Sequence, residues 1–558
     1  MNTLLSNPIF WILLLLLILL FLLLILLLLY LLWARAHGRF PFPRYPRSEF
    51  YIQDQVIVTG PAARVTAVLT GLSGISEAPI RVLNIGDLFD PGQTCPPLPA
   101  DLVIALYQLT GLAPDVERAI AQIKAAAGVN ADVIGEPNYL SGHPWDPEGS
   151  PWDPEGSPWD PEGSPWDPEG SPFDILLGLL GIHRKKTPAM PAQPDWFMEQ
   201  WALRAIALPL TPPGQPYPLP VSGRGVRVGV FDTSPYFPAL GEDQSADVAS
   251  TLAQNPGSEV LHVRHPHFYA HPAPSTRSVT DVRNHGYYVS GLIHALAPNT
   301  DLHLVRVLDA FNRGDTFTLT AAIFDFLVQS RAAAKLHSTL INLSLGIRVP
   351  PAEAGFNLPI EVLSLKYVLQ AARCLGVVTV AAAGNDSAHL SGPEPADLPA
   401  AWNTALGVAA TNPQNQRACF SNVGEIAAPG GDGRALGDKR TSSQNGCTPR
   451  NADCVGPDSP WSVIGPVLEP PAGSTGYIFW SGTSFATPLV SGLAALVLEC
   501  GRGSLSPQQV EDVLKCGAVK TGDPNLGAGV INVPATLACC EKQVGRPEPK
   551  PGSGPQNG

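Results

Sequence analysis

The hydrophobic residues of this 558-residue chain fall into blocks with different spacing, and the first block is an unbroken apolar run. Residues 9–33 are 25 consecutive apolar positions, mostly leucine, with Trp11, Tyr30 and Trp33 near the ends. A helix of that length can cross a hydrocarbon layer of about 30 Å, and aromatic residues favour the two interfaces of a bilayer. The pattern predicts a transmembrane helix at 9–33, with a short tail at 1–8 before it.

A cleaved signal peptide is the alternative interpretation of this run. Ala34-Arg35-Ala36 imitates a cleavage site, but the apolar stretch is longer than a signal-peptide core and no basic segment precedes it. We therefore favour a retained anchor in a lipid bilayer. Arg35, Arg39, Arg44 and Arg47 follow the run, so the charge rule weakly favours a cytoplasmic position for the rest of the chain and leaves the side uncertain.

Between residues 48 and 140 the apolar pattern alternates between the periods of strands and helices. In order, the segments are strand 51–58, helix 61–72, strands 79–85 and 101–109, helix 114–128 and strand 131–140. Pro114 opens the second helix, and apolar residues then recur at three- and four-residue spacing. A β-α-β-β-α-β order is typical of a small ferredoxin-like α+β domain.

A polar, low-complexity linker follows at 141–194. Residues 144–171 are four copies of Pro-Trp-Asp-Pro-Glu-Gly-Ser, and Asp-Pro-Glu-Gly suits a type I turn. The repeat predicts a string of turns that serves as a spacer, and a tract that displays tryptophan to a binding partner is the alternative. The Pro- and Gly-rich tail at 541–558 is predicted to be disordered.

From residue 195 onwards, two strand-like apolar runs lead to polar residues. The apolar run at 226–231 is followed directly by Asp232, and the run at 377–383 leads to Asn385. Continuous apolar runs with β-branched residues are typical of buried parallel strands, and catalytic groups collect at the carboxyl edge of such sheets. We expect Asp232 and Asn385 to lie at that edge.

Two further polar residues stand at predicted helix starts. His285 opens a helix of small residues, and Ser484 lies among small residues just before the apolar helix pattern of 489–498. A helix N-terminus stabilises negative charge, but a serine hydroxyl needs a base, and a group that orients the base, to become a good nucleophile. The chain order Asp, His, Asn, Ser supplies such a set.

These four positions lie in motifs that resemble those of the subtilisin family of serine proteases. The matching segments are VGVFDTS at Asp232, NHGYYVSG at His285, AAAGN at Asn385 and SGTSFATPLVSG at Ser484. The resemblance implies an α/β fold for 195–540, a subtilisin-like three-layer domain with a mostly parallel sheet. It also implies that 48–140 is a pro-domain, whose end in this family often reads like Glu136-Pro137-Asn138-Tyr139.

The resemblance gives each residue of the site a role. Ser484 would be the nucleophile, His285 the general base and then general acid, and Asp232 the group that orients the histidine. The Asn385 amide and the Ser484 backbone N–H would bind the oxyanion. The walls of the specificity pocket would be Ser344, Leu345, Gly346, Ala382, Ala383 and Gly384. No acidic residue is identifiable near these small walls, so a broad apolar preference is expected.

Three positions depart from the family's motifs. Ser234 stands where the family has glycine, and Tyr287 and Tyr288 stand where it has a threonine and a second histidine. None of these changes removes a triad atom. The two tyrosines are expected to alter the wall of the cleft.

Charge and cysteine content add little to this picture. The net charge of −13 is concentrated in the repeat, whose four copies hold eight acids, and no basic stripe indicates nucleic acid. The nine cysteines contain no C-x-x-C pair, and with Cys539 beside Cys540 they do not resemble a disulfide framework. Four histidines between 262 and 271 favour a surface loop over a metal site, so we assign no metal. The family often binds structural calcium, but no carboxylate set can be assigned to it here.

The sequence therefore predicts a membrane-anchored serine endopeptidase that hydrolyses peptide bonds through an acyl-enzyme, without a cofactor. Its partners would be polypeptide substrates, its own pro-domain as an intramolecular inhibitor and a lipid bilayer, but no nucleic acid. We expect it to be made as a self-processing zymogen. A catalytically inactive tethered scaffold and an esterase or acyl transferase with the same triad are the alternatives.

Overall fold

The structure is a computed structural model. It describes residues 50–111, 114–128, 132–142, 197–209, 217–234, 260–262, 284–308, 313–347, 349, 361–389, 392–431, 462–469 and 474–545. Apart from Phe50, these residues belong to one compact unit that spans Tyr51–Val349 and Leu358–Gly558. The predicted membrane helix at 9–33 and the repeats at 144–171 lie outside the described residues, as do most of the linker and the tail, and they stay predictions.

An antiparallel sheet with two helices forms the N-terminal part of this unit. Its elements are β1 (Tyr51–Pro61), α1 (Ala62–Leu69), β2 (Arg81–Asn84), β3 (Leu102–Gln108), α2 (Val116–Ala127) and β4 (Ile134–Gly142). The strands are ordered β4-β1-β3-β2, and each neighbouring pair is antiparallel. The order of the elements is the one that the alternating sequence pattern predicts.

Local sequence explains the bounds and packing of α2. The helix starts at Asp115, whose carboxylate accepts the backbone N–H of Arg118, and stops at Gly128, where φ is 75°. Its inner face is buried against the sheet through residues such as Ile123. Gly135 of β4 permits this close approach, because a Cβ there would lie 2.9 Å from Ile123 Cδ1.

A parallel sheet forms the centre of the C-terminal part. The remaining strands are β5 (Arg227–Asp232), β6 (Val260–His262), β7 (Asp301–Arg306), β8 (Gly314–Asp315), β9 (Thr339–Leu343), β10 (Gly346–Ile347), β11 (Val378–Ala382), β12 (Leu406–Thr411), β13 (Ile426–Pro429), β14 (Val463–Glu469) and β15 (Ser474–Trp480). Seven of them form a sheet in the order β13-β12-β11-β9-β5-β7-β6, which is parallel except at β6. Strands β14 and β15 pair with each other, and β8 and β10 pair with β4.

Helices cover both faces of the parallel sheet. They are α3 (Trp201–Ala205), α4 (His285–Leu296), α5 (Thr316–Ala332), α6 (Leu363–Cys374), α7 (Thr483–Cys500), α8 (Pro507–Gly517) and α9 (Val533–Val544). Along β5, Val228 and Val230 join the core that contains α4 and α7. On the opposite face, Phe231 packs edge-on against Phe326 of α5 with ring centroids 5.6 Å apart. The alternation of β5 side chains therefore produces a three-layer α/β domain.

Helix α7 passes through the middle of this core. Among the described residues it is the one helix long and apolar enough to cross a membrane, and 89% of its most apolar window is buried inside the protein. A helix that is apolar on all sides suits a core position as well as a bilayer. Its burial by α4, α8, α9 and the sheet accounts for its composition.

Three disulfides join cysteines among the described residues, so the expectation that the cysteines form no framework is wrong. Cys500 bonds to Cys540 and Cys516 bonds to Cys539, which ties the C-terminal helices together. Cys95 bonds to Cys374 across 279 residues of sequence, with Cα atoms 5.7 Å apart. This third bond joins the N-terminal sheet region to α6. The pairing could not be read from spacing, since adjacent Cys539 and Cys540 point to different partners.

Candidate active site

Asp232 and His285 form a buried pair at the carboxyl edge of the parallel sheet. Asp232 is the last residue of β5, and His285 is the first residue of α4. The His285 Nδ1 lies 2.9 Å and 3.0 Å from the two carboxylate oxygens, so its N–H donates to Asp232. Gly286 is required beside the pair, because a Cβ there would lie 2.3 Å from the Thr233 carbonyl oxygen. The arrangement fixes the histidine ring and leaves Nε2 as its second nitrogen for chemistry.

Ser484 lies in the first turn of α7, as the motif predicts. It is buried, and its Oγ donates to the Ser344 carbonyl oxygen at 3.2 Å, while Ser344 Oγ donates to the Ser484 carbonyl oxygen at 2.9 Å. The His285 ring lies 5.2 Å from the ring of Phe485 and 5.2 Å from the ring of Trp480, measured between centroids. These contacts hold the histidine beside the first turn of the serine's helix.

The Asn385 side chain is oriented by the residue that precedes Ser484. Its Oδ1 accepts from the Thr483 backbone N–H at 3.0 Å and from Thr483 Oγ1 at 2.9 Å. With the oxygen committed to Thr483, the Nδ2 end faces Gly482, where an added Cβ would lie 3.5 Å away. Backbone N–H groups in the first turn of a helix have no partner within the helix. The Ser484 backbone N–H lies in that first turn, and the Asn385 side chain is fixed next to it through Thr483.

The expectation that both tyrosines of the histidine motif alter the cleft wall is wrong for Tyr288, whose ring packs in the core. Tyr287 and Tyr288 are both fully buried in the core. The Tyr288 hydroxyl donates to the Val463 carbonyl oxygen at 2.7 Å, and its ring lies 4.7 Å from the ring of Phe485. Glycine at 465 makes room for this ring, because a Cβ there would lie 2.4 Å from it. The tyrosine thus anchors β14 to the core behind His285.

The six residues expected to line the specificity pocket lie in two buried segments. Leu343 of β9 pairs with Ala381 of β11, and the segments 344–346 and 382–384 follow directly from these strands. A third segment, which the sequence did not identify, joins them. Asp397 N–H donates to the Ala383 carbonyl oxygen at 2.8 Å, and the Ile347 N–H donates to the Leu398 carbonyl oxygen at 3.0 Å.

The expectation that no acidic residue lies near the pocket is therefore wrong. A Cβ added to Gly384 would lie 2.3 Å from Asp397 Oδ2, and one added to Gly346 would lie 3.7 Å from the same oxygen. The carboxylate thus faces both glycine walls. Asp397 lies 13 residues beyond Gly384 in a Pro-rich loop, so no sequence spacing points from one to the other.

Strand β4 of the N-terminal sheet enters this site. Leu140 and Ser141 pair with Asp315 and Gly314 of β8, while Ser141 and Gly142 pair with Ile347 and Gly346 of β10, both antiparallel. β4 is thus held between two strands of the C-terminal part. Ser344, whose carbonyl oxygen contacts Ser484, is two residues before the partner of Gly142.

Two side chains of β4 cap helices of the C-terminal part. Asn138 Oδ1 accepts the Phe317 backbone N–H at 2.9 Å at the start of α5. The Glu136 carboxylate accepts the N–H groups of Leu363 and Ser364 at 2.6 Å and 2.9 Å at the start of α6. Complete burial raises the pKa of Glu136 from 4.5 to about 7, although these hydrogen bonds favour the ionised form. The sequence Glu136-Pro137-Asn138 therefore forms an interface with two helix N-termini.

Within the part of the chain that the structure describes, no three His, Cys, Asp or Glu side chains are grouped to hold a metal ion. The histidines at 265, 267 and 271 lie outside the described residues.

Comparison with known proteins places this site in a family. Residues 223–530, which are 308 of the 558 residues, match the Peptidase S8 model of the subtilase family. Subtilisin BL of Lederbergia lenta is 29% identical over 328 residues, which cover 56% of this chain and 91% of that protein. An alkaline protease of Alkalihalobacillus alcalophilus is also 29% identical, over 56% of this chain and 65% of that protein. Fervidolysin from Fervidobacterium pennivorans, a keratinolytic enzyme related to subtilisin, aligns with a TM-score of 0.48 at 17% identity over 91% of this chain and 63% of its own.

The family match spans all four residues of the candidate active site, from Asp232 to Ser484. It also spans both pocket walls and Asp397. The chain therefore belongs to the subtilase family, the family of the subtilisin-like serine endopeptidases.

Proposed function

We propose that this chain is a serine endopeptidase in which Ser484 is the nucleophile, His285 the general base and Asp232 the residue that orients His285. The observation that carries the proposal is the buried pair of His285 Nδ1 and the Asp232 carboxylate, at 2.9 Å and 3.0 Å, beside the first turn of the serine's helix. Such a pair holds the imidazole in the tautomer that can accept a proton at Nε2.

Peptide hydrolysis at this site would proceed through an acyl-enzyme. Ser484 Oγ attacks the peptide carbonyl carbon as His285 Nε2 takes its proton, and the proton passes to the leaving amine. A water molecule then attacks the ester and gives a proton to His285, which passes it to Ser484 Oγ as the acid leaves. The Asn385 amide and the Ser484 N–H stabilise the oxyanion in both steps. Asp232 stays ionised and stabilises the imidazolium.

The same proposal includes synthesis as a zymogen. Strand β4 lies between β8 and β10, and its register leads toward Ser344 and Ser484, which supports its role as an occupant of the substrate cleft. A peptide substrate extended in this cleft would need the same backbone partners. The region from Tyr51 to Gly142 is therefore an intramolecular inhibitor until the chain is cut beyond β4.

We further propose that the chain is anchored to a bilayer through residues 9–33, with the catalytic part on the exported side. The apolar run supports the anchor. The three disulfides support the exported side over the cytoplasmic side that the charge rule weakly favours, because disulfides persist in oxidising compartments.

A fluorophosphonate probe tests the proposed chemistry, since it labels serine hydroxyls that are activated by a base. The purified wild type, Ser484→Ala and Glu136→Ala, which weakens the docking of β4, are treated with the probe, and the labelled peptide is identified by mass spectrometry. We expect label on Ser484 in the wild type after processing and in Glu136→Ala, and none in Ser484→Ala. Absence of label from both Ser484-containing proteins, while subtilisin in the same reaction is labelled, would support an inactive scaffold.

A further inference from the structure

Asp397 lies where the two walls of the candidate specificity pocket are joined. Its backbone N–H is bonded to Ala383 in one wall, and the next residue, Leu398, is bonded to Ile347 beyond the other wall. The backbone at 397–398 therefore spans the gap between the walls and closes one end of it.

The gap exists because two neighbouring strands separate at their carboxyl ends. Strands β9 and β11 are paired up to Leu343 and Ala381. Beyond that point, Gly346 pairs with β4, while the Ala383 N–H donates to the Val408 carbonyl oxygen of β12 at 3.0 Å. The two segments that follow β9 and β11 thus turn to different partners and leave a space between them, next to Ser484.

The Asp397 carboxylate occupies the closed end of this space. Its Oδ2 faces Gly384 and Gly346. A Cβ added to these glycines would lie 2.3 Å and 3.7 Å from that oxygen, respectively. Gly384 has φ of +108°, which a side chain would strain, and it directly precedes Asn385. Since Asn385 would bind the carbonyl oxygen under attack, the adjoining space receives the side chain of the residue that supplies that carbonyl.

We infer that Asp397 makes this enzyme select peptides with lysine or arginine on the acyl side of the scissile bond. The inference rests on the proposed function and adds a substrate class to it. The pocket walls are small, so they can accommodate the aliphatic stem of a long cationic side chain. The carboxylate then accepts hydrogen bonds from its charged end. An apolar side chain in the same place would offer the carboxylate no hydrogen bond or opposite charge.

The test uses three peptides that differ at that one residue: arginine, the uncharged isostere citrulline, and leucine. Their kcat/KM values are measured for the processed wild type, for Asp397→Asn and for Glu394→Gln. Glu394 is the matched control, because it lies on the same loop with an exposed side chain and its substitution removes the same charge. Labelling of Ser484 by the fluorophosphonate probe gives the concentration of active sites in every sample.

We expect the wild type and Glu394→Gln to prefer arginine over citrulline by about 10- to 100-fold, the range for hydrogen bonds to charged groups. Asp397→Asn should reduce that preference to within about threefold. Equal rates on arginine and citrulline in a labelled wild type would overturn the inference and leave the proposed function intact. A wild type that neither labels nor cleaves any peptide would instead contradict the proposed function, on which the inference rests.

Discussion

Gly142, the last residue of β4, is the antiparallel partner of Gly346. Two residues before Gly346, the carbonyl oxygen of Ser344 lies 3.2 Å from Ser484 Oγ. The N-terminal sheet is therefore joined, by antiparallel strand pairing, to the segment that contacts the candidate nucleophile. An extended peptide substrate would compete for the hydrogen bonds of this pairing, so docking of β4 and binding of substrate exclude each other.

Cleavage of the linker should be visible only after reduction. We predict that the wild type cuts itself between Gly142 and Pro194, where the chain is rich in Pro, Gly and Ser and can be cut without disturbing either fold. Because Cys95 is bonded to Cys374, the two pieces should stay linked. An immunoblot with a C-terminal tag should show a short band in reducing gels and a full-mass band in non-reducing gels.

Two variants control this experiment. Ser484→Ala should run at full mass in both gels, and Cys374→Ser should show the short band without reductant. A full-mass wild-type band in reducing gels, in a preparation that cleaves peptides, contradicts self-processing. A short wild-type band without reductant contradicts the covalent link.

Docking of β4 should weaken as pH rises. The pKa of Glu136 is raised from 4.5 to about 7 by burial, so protonation favours the docked state. The stabilisation of the docked state by protonated Glu136 is complete below about pH 4.5 and is lost as pH rises through about 7. A pKa shift of this size corresponds to about 3 kcal/mol of docking free energy. Hydrogen exchange of the β4 amides in the Ser484→Ala chain should therefore show protection that falls more than tenfold between pH 5.5 and 8.5.

Glu136→Gln provides the comparison, because glutamine retains an oxygen for one of the two helix N–H groups and does not titrate. After correction for intrinsic exchange, its β4 protection should stay constant across the same pH range. Identical pH profiles in the two proteins would show that Glu136 does not control docking.

Gly384→Ala should be unusually costly for an exchange of one methyl group. The new Cβ would lie 2.3 Å from Asp397 Oδ2, at a φ of +108°. We expect the free energy of unfolding to fall by about 2–4 kcal/mol, from backbone strain and overpacking together. Gly522→Ala has a φ of +85° but no atom within 4 Å of the new Cβ, so it should cost about 1 kcal/mol. Urea unfolding of both variants in the Ser484→Ala chain measures the difference, and equal losses would mean that the pocket relaxes freely.

The N-terminal apolar run should hold the unprocessed chain in membranes. We expect the Ser484→Ala protein to remain with the membrane fraction after an alkaline carbonate wash, and a shortened chain that begins at Ser48 to be soluble. N-terminal mass spectrometry of the mature protein provides the decisive check. A mature terminus at His37 would mean that a signal peptide had been removed, contrary to the prediction of an anchor.

Sequence patterns predicted the elements of this structure better than its long-range contacts. Local periodicity and motif predict the strand that ends at Asp232, the strand that leads to Asn385 and the helices that begin at or next to His285 and Ser484. The Cys95–Cys374 bond does not, because cysteine spacing carries no information about partners 279 residues apart.

The role of Asp397 also could not be read from the sequence. It reaches the pocket because two strands separate and a loop returns between them, which is a tertiary event. Tyr288 shows the converse error, since a residue within a catalytic motif was assigned to the cleft although its ring packs behind it. Motifs identify reacting groups, whereas the walls around them depend on how distant segments meet.

The central claim, that Ser484 is the nucleophile of a serine endopeptidase, is tested most directly by peptide hydrolysis in the purified wild type and in Ser484→Ala. Both proteins are first treated with a trace of active wild type and reductant, so that linker cleavage and release of the N-terminal region are equal. The activity of the added wild type is subtracted from each measurement. We then predict a kcat for Ser484→Ala that is about 10⁶-fold lower than for the wild type, the loss reported for removal of the serine in subtilisin itself. A purified Ser484→Ala protein that retains most of the wild-type rate would contradict the account.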